Sequence, residues 1–523
     1  MKYIITAFAF SFFSFAAHSQ YDVLILNGKI IDGAGNSWFY GDVAVKDGKI
    51  VYLGKTNNVT ATKVINANGL IVAPGFIDVH AHIESGIFEN PTADNYIYDG
   101  VTTVITGNCG GSADDLKKFF WQMDSMKTSI NIASLVGHNT VRRLAMGLDN
   151  RLATADEQRK MEELVAQAMK DGAVGLSTGL IYLPGMYSNT EEVIGLAKTA
   201  ASFNGVYASH IRNEENGVVD AINEAINIGK AANIPVEVSH FKVSGPANWN
   251  RSKETLSLIE AARRDGYDVT IDQYPYTASS TNLGIRLPEW ALAGGEDSLK
   301  KRIADPVMHK QIIDEMLALQ KKYKYKDYSY AYVAMHKADT TLNGKNISEI
   351  NKLKGRKAKP KEEAETILDM MMAGGAQMVY HSMNEDDVRY FIKYPFNMIG
   401  ADGGVSNGKG FPHPRTYGTN ARVLGKYVRE EKLITLEDAI RRMTSLAAQK
   451  FQLKDRGLLK EGYAADIIVF DENVVNDKAT FENPHQFSVG FNYVLVNGQL
   501  VIDEGKHNGV KSGMTLKGPG FNK

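Results

Sequence analysis

The sequence predicts an α/β fold: a (β/α)8 TIM-like barrel accompanied by a small β domain built from both chain ends. Three observations predict it. Apolar strand-like runs alternate about eight times with amphipathic helical stretches, which is the rhythm of parallel β-α units. Short alternating strands separated by Asn-Gly and Asp-Gly turns occur near the N-terminus and again near the C-terminus. Several of the central apolar runs also stop at His, Cys or Asp, and a parallel barrel gathers its chemistry at the C-terminal ends of its strands. A doubly wound open sheet is the alternative arrangement of the same rhythm.

Taken in order, "MKYIITAFAFSFFSFAAHSQ" opens with a lysine, an apolar stretch and Ala17-His18-Ser19. That pattern reads as a secretory signal peptide over 1–19, cut before Gln20, with export to the periplasm or medium. The apolar part is short for a retained membrane anchor, and no later segment of the mature chain is expected to span a bilayer. "YDVLILNGKIIDGAG", "GDVAVKDGKIVYLGK" and "TKVINANGLIVAPG" supply the first part of the β domain, 20–72. The barrel is expected over 73–456, through "GFIDVHAH", "VTTVITGN", "INIASLVGH", "GAVGLSTG", "VYASH", "IPVEVSH", "DVTIDQYPY" and "FNMIGAD". Helices such as "ADEQRKMEELVAQAMKDG" lie between them, and a helical insertion interrupts the rhythm at about 282–326. "EGYAADIIVFD" and "VGFNYVLVNGQLVIDEG" then complete the β domain over 457–523.

Composition narrows the function. The 523 residues, 44% hydrophobic, can bury a large core in more than one domain. Lys and Arg number 59 against 60 Asp and Glu, which gives no support to a nucleic-acid partner. "KKYKYKDY" from Lys321 reads as a solvated helix face. One cysteine, Cys109, cannot pair within the chain, and a lone thiol in an exported protein is a liability unless buried or bound.

The residues at the strand ends carry the chemistry. On a strand, residues two apart face the same side, so His80 and His82 at the end of "GFIDVHAH" would point together into a barrel mouth. Cys109 ends the next strand, His210 ends "VYASH", His240 ends "VEVSH" and Asp402 ends "MIGAD". One polar strand end means little, but five at corresponding positions point to a metal site. Imidazole with thiolate selects zinc, since magnesium and calcium ask for oxygen ligands. Coordination would also protect the thiol.

"GFIDVHAH", "GVTTVITGNCG", "SHIRNE", "VSHFK" and "GADGG…HPRTYGT" resemble the D-aminoacylase branch (N-acyl-D-amino-acid deacylases) of the amidohydrolase superfamily, over nearly the whole mature chain. The resemblance implies that Cys109, His210 and His240 hold a tightly bound zinc ion. It further implies that His80 and His82, with Cys109 bridging, form a weaker second metal site, and that Asp402 is the catalytic carboxylate. Lys242, Tyr182, Ser280 and Arg415 match positions that bind a small-molecule N-acyl amino acid. The implied reaction is hydrolysis of a linear amide to a carboxylate and a free D-amino acid. Neighbouring alternatives are a hydantoin or other cyclic amide and a D-residue dipeptide. The oligomeric state is open.

Plainer readings stand beside these. Lys242 and Arg415 could pair with carboxylates, Tyr182 could be a packed aromatic, and Ser280 a turn residue. A metal-binding protein without catalysis would have no use for Asp402. His138 and His381 read as structural histidines or ones that stand behind the site, and His413 as a loop residue, with a place near the site as its alternative. "GLSTG" fits a nucleophile elbow at Ser177, but no helix is expected directly after it; the better helix start is a capping box from Ser188 to Glu191. "GGVSNGKG" fails as a phosphate loop because Gly410 stands where Ser or Thr should hold magnesium.

Overall fold

The computed structural model describes residues 20–521, and the expected leader over 1–19 lies outside them. The chain is an α/β protein. Among the described residues two sheets are wholly parallel. Phe76–Asp78, Val101–Thr106 and Asn131–Ser134 form one. Val136–Gly137, Gly175–Gly179, Val206–His210, Val236–Val238, Val269–Gln273 and Asn397–Ile399 form the other, in sequence order. These nine strands match the eight central strand segments expected from the sequence, the third segment being divided at Leu135.

The two sheets also meet at their other ends. Ala81 bridges Gly403 in parallel, and Asp402 N donates to His80 O at 2.8 Å. The Asp78 carboxylate accepts from Ala401 N at 3.1 Å. Every strand residue from Val101 to Thr106 and from Val206 to His210 is buried, as strands covered on both faces must be.

Helices cover these sheets for readable local reasons. Ala155–Asp171 starts from a capping box of Thr154 with Glu157 and stops at Gly172, whose φ of 112° ends the helix. Between them Met161, Val165, Ala168 and Met169 recur at helical spacing and are buried. Thr190–Ser202 begins one residue later than the sequence suggested. Asn189, not Ser188, caps it by accepting from Glu192 N at 2.9 Å, because the Ser188 hydroxyl is turned back onto Gly185 O at 2.7 Å. The "KKYKYKDY" stretch is helical only to Lys322, where Pro306–Lys322 ends, and Tyr323, Tyr325 and Tyr328 turn inward rather than lying on a solvated face.

Both chain ends enter one nine-stranded sheet. Ile467–Phe470 lies antiparallel to Ile71–Pro74, with Ile467 opposite Pro74, and Ile71–Pro74 runs parallel to Tyr21–Ile30. Val23, Ile25, Val43, Val45, Ile467 and Leu495 are in its apolar core. Gly75 joins this sheet to the first parallel strand where a Cβ would fall 2.2 Å from the Thr102 hydroxyl, so only glycine passes there.

A fourth sheet, of Ser279–Asn282, Gln377–Tyr380 and Ala331–Met335, is antiparallel. With the helices around it, it has its own apolar cluster running from Leu283 to Tyr380. That cluster covers more chain than the 282–326 interruption expected from the sequence. The added strands alternate weakly and read poorly as sheet. Among the described residues no helix is long and apolar enough to cross a membrane.

Candidate active site

His80, Cys109, His210, His240 and Asp402 come together at the C-terminal ends of the parallel strands. Cys109 Sγ is central: it lies 3.3 Å from His80 Nε2, 3.5 Å from His210 Nδ1 and 3.5 Å from His240 Nε2. The potential ligand atoms fall into two groups sharing that sulfur. Cys109, His210 and His240 make one; His80, His82, Cys109 and Asp402 make the other; within each, the atoms lie within 4.8 Å of one another.

Backbone strain holds this arrangement. Cys109, His240 and Asp402 have φ of 52°, 36° and 48°, a left-handed conformation that non-glycine residues adopt at a cost. The turn carrying Cys109 is set by Gly107 and Gly110, at φ of 77° and 75°, where a Cβ would strike Leu135 O and Asn139 Oδ1 at 2.2 Å.

The donor set fits zinc. Zn–S near 2.3 Å and Zn–N near 2.0 Å at a tetrahedral angle separate sulfur and nitrogen by about 3.5 Å, the spacing of Cys109 Sγ from both His210 and His240. Burial pushes the Cys109 thiol well above its ordinary pKa, with the Asp402 carboxylate adding to the rise and Lys242 opposing it. A divalent cation reverses that sign. Burial likewise holds His210 well below the ordinary histidine range, in the neutral form that binds metal. Its Nε2 is buried with no hydrogen-bond partner.

Carboxylates behind the imidazoles orient them. Asp272, on Val269–Gln273, lies 3.1 Å from His80 Nδ1 and accepts from His240 N at 2.9 Å. Glu214 lies 3.1 Å from His240 Nδ1. A carboxylate taking the Nδ1 proton leaves the opposite ring nitrogen free to bind metal. Burial pushes the Asp272 carboxyl up, but the His80 imidazole and hydrogen bonds to it outweigh that and hold it down at about 2.

Asp402 faces both metal groups and the substrate residues. Its Oδ1 is 3.1 Å from His82 Nε2 and its Oδ2 is 2.8 Å from Arg415. Burial alone would raise its pKa; the Arg415 guanidinium and the His82 hydrogen bond override burial and keep it well below the carboxylate range. It therefore stands as an anion able to accept a proton.

The remaining expected residues are also present. Tyr182, Lys242, Ser280 and Asp402 line one cavity of about 1560 Å³, together with His210 and His240. A smaller space of about 470 Å³ adjoins Cys109, His82 and Arg415 and shares Tyr182 and Ser280 with it. The Thr281 hydroxyl donates to the Tyr182 phenol oxygen at 3.0 Å, so the phenol keeps its own proton for another acceptor. Both cations are paired: Lys242 with Glu214, and Arg415 with Asp402 and Ser280 O. Arg415 Nη1 nonetheless has no partner though buried. The Ser280 hydroxyl accepts from Gln377 at 3.2 Å.

The excluded candidates have ordinary surroundings. The Ser177 hydroxyl bonds Gly107 O and accepts from Gly110 N at 3.1 Å, supporting the Cys109 turn, and no helix follows it directly. His138 pairs with Glu192 at 2.8 Å beside Arg142, and His381 packs on Tyr332 and Phe481; His413 bonds Ala278 O at 3.0 Å but also lines the smaller cavity and accepts from Arg415 N at 3.0 Å. Asp272 and Glu214 escaped the sequence reading. Asp272 was legible as a carboxylate inside an otherwise apolar strand, and Glu214 as the acid of "SHIRNE".

The amidohydrolase family model matches residues 63–502. The chain belongs to the amidohydrolase family. It is 34% identical to the D-aminoacylase of Alcaligenes xylosoxydans xylosoxydans over 95% of this chain and 97% of that protein. The crystal structure of an N-acyl-D-glutamate deacylase from Bordetella bronchiseptica, complexed with zinc and a phosphonate mimic of the tetrahedral intermediate, is 34% identical. It superposes with a TM-score of 0.82 over 95% of this chain and 99% of that one. A D-aminoacylase structure described with a binuclear metal centre, one metal activating and the second attenuating, is 32% identical, with a TM-score of 0.82 over 95% and 100%.

Proposed function

We propose that this chain is a zinc-dependent amidohydrolase that cleaves the amide bond of N-acyl-D-amino acids, releasing a carboxylate and a free D-amino acid. The observation that carries the reading is the convergence of Cys109, His210 and His240 at tetrahedral zinc spacing beside an ionised Asp402 that this trio does not need. The D preference and the linear amide rest on the similar D-aminoacylase and deacylase.

Cys109, His210 and His240 would hold the tightly bound zinc, and His80 and His82, with Cys109 bridging, a weaker second ion. When bound, zinc supplies Lewis acidity, which makes a water nucleophilic near neutral pH and polarises the scissile carbonyl. The protein residues carry the protons. Asp402 accepts a proton from the attacking water as oxygen adds to the amide carbon. It returns that proton to the departing nitrogen as the C–N bond breaks. The Tyr182 phenol, kept protonated by burial, donates to the carbonyl oxygen as negative charge builds there. Arg415, through its unpartnered Nη1, and Lys242 attract the α-carboxylate, while Ser280 borders both cavities and shapes the bound substrate.

The architecture gives these residues their places. We read the two parallel sheets as one (β/α)8 barrel over 73–456, with the site on its C-terminal rim. Residues 20–72 and 457–523 would be the small β domain, which the shared nine-stranded sheet supports. We further propose cleavage before Gln20 and export, on the lysine, the apolar stretch and Ala17-His18-Ser19 of the sequence alone.

The test is hydrolysis of N-acetyl amino acids of both hands, before and after chelation and zinc return. Zinc-dependent release of the D-amino acids, faster than of their L partners, is expected. Faster cleavage of the L series, or activity indifferent to chelation, would overturn the reading.

A further inference from the structure

The cavity that contains His210, His240, Lys242 and Asp402 extends into the layer built by residues 283–380, and its volume is about 1560 Å³. Sites for drug-sized ligands usually measure about 300–1,000 Å³, and an N-acetyl amino acid is smaller than such ligands. Most of this space therefore serves something beyond the reacting amide and its α-carboxylate.

Its far part is apolar. Trp290, Leu292, Leu299, Met316, Leu319 and Met371 line it, drawn from four helices of that layer. Leu299 and Met316 are almost wholly buried, whereas Trp290, Leu292, Leu319 and Met371 keep partial exposure. Among those six side chains the one nitrogen or oxygen is Trp290 Nε1, which donates to Glu315 at 3.0 Å. Elsewhere on the wall Arg286 lies 3.4 Å from the Tyr330 hydroxyl and 3.6 Å from Glu215, while Arg286 Nε and the Tyr325 hydroxyl are without a hydrogen-bond partner. An apolar chain laid along the six would leave water without stranding a donor or acceptor among them. A polar chain laid along the same six would lose its hydration and find no free partner on them.

We infer that this lobe accepts an extended, unbranched apolar chain attached to the substrate, so that the preferred substrates are lipid-like N-acyl amino acids. The inference rests on the amide-hydrolase reading above. The chain could belong to the acyl group or to the amino-acid side chain, and the chemistry recognised is the same.

Two substrate series separate these sources on the zinc-loaded full chain. One runs N-acetyl-, N-hexanoyl- and N-decanoyl-D-alanine; the other runs N-acetyl-D-alanine to N-acetyl-D-2-aminodecanoate, each kept below micelle formation. In one series kcat/KM should rise about a hundredfold, well under the roughly fourfold per methylene that complete burial would give. The series that rises names the source. Leu319→Trp and Leu292→Trp, which fill the lobe, should each lower the long-to-short ratio of kcat/KM at least about tenfold. Flat series in an enzyme that cleaves N-acetyl-D-alanine, or ratios unmoved in both variants, would overturn the lobe assignment alone. No cleavage of any member would overturn the amide-hydrolase reading instead.

Discussion

Asp272 lies 3.1 Å from Nδ1 of His80, on the seventh of the eight strand runs whereas His80 follows the first, and the same carboxylate accepts the backbone N–H of His240 at 2.9 Å. One buried acid thus fixes the His80 ring and the backbone that carries the His240 ring. Buried Glu237 is a further hydrogen-bond partner of this carboxylate. Replacing the charge while keeping the shape should loosen both imidazoles.

Asp272→Asn is therefore expected to weaken zinc binding about 10–100-fold and to lower kcat with it, because an outer-shell carboxylate sets ligand orientation and basicity. Zinc titration against a competing chelator reads the affinity. Unchanged affinity would show that His80 and His240 are held by packing alone.

Removal of the shared sulfur tests the centre itself. In Cys109→Ser the small polar side chain can keep the turn, but a hydroxyl is a poor zinc ligand at neutral pH. The variant should emerge from gel filtration with substoichiometric zinc and with activity reduced at least about a thousandfold. Full zinc occupancy with near-normal turnover would remove Cys109 from the metal set.

Much of this site could be read before any coordinates. The histidines, Cys109 and Asp402 each close an apolar run, and period-two geometry at "HAH" gives the direction of both rings. Asn-Gly hairpins at both ends foretold that Ile467–Phe470 and Ile71–Pro74 would share a sheet. What escaped has a common cause. Asp272 and Glu214 act only through residues far away in sequence, and no local period records a partner 192 or 26 positions distant. The strands Ala331–Met335 and Gln377–Tyr380 were hidden because 41 residues of helix and turn separate the two, and 94 separate Gln377–Tyr380 from Ser279–Asn282. The pairing of Lys242 and Arg415 with carboxylates is likewise a property of the folded site.

Asp402 and Ser177 separate three chemistries. Asp402→Asn keeps size and the partners His82 and Arg415 but removes the proton acceptor, so kcat/KM should fall about 10²–10⁴-fold while zinc stays bound. Ser177→Ala should lose zinc affinity only modestly, through the Cys109 turn, and remain active. The reverse pattern, an active Asp402→Asn and a dead Ser177→Ala with zinc retained, would identify a serine hydrolase. A protein that holds zinc but hydrolyses no amide would be a metal-binding protein.

Lys450 offers a stability test away from the site. Its ammonium is buried beside Asp268, donating to the Asp268 carbonyl at 3.0 Å and lying 3.2 Å from the carboxylate. Burial depresses its pKa from 10.5 to about 8, against the opposing pull of Asp268. Below about pH 8 the group is charged in both folded and unfolded chains, and the burial cost is fully present. Between about 8 and 10.5 the unfolded chain keeps a proton that the folded chain has released, so stability contributed by this residue rises with pH. The whole change is at most about 3 kcal/mol, at 1.36 kcal/mol per pKa unit. Lys450→Met fills similar volume without the charge and cannot titrate. Denaturant unfolding of both proteins from pH 7.5 to 10.5 should therefore show wild type gaining stability relative to the variant as pH climbs, since groups common to both cancel. A difference that stays level across that range would mean the ammonium keeps its ordinary pKa through its pairing with Asp268.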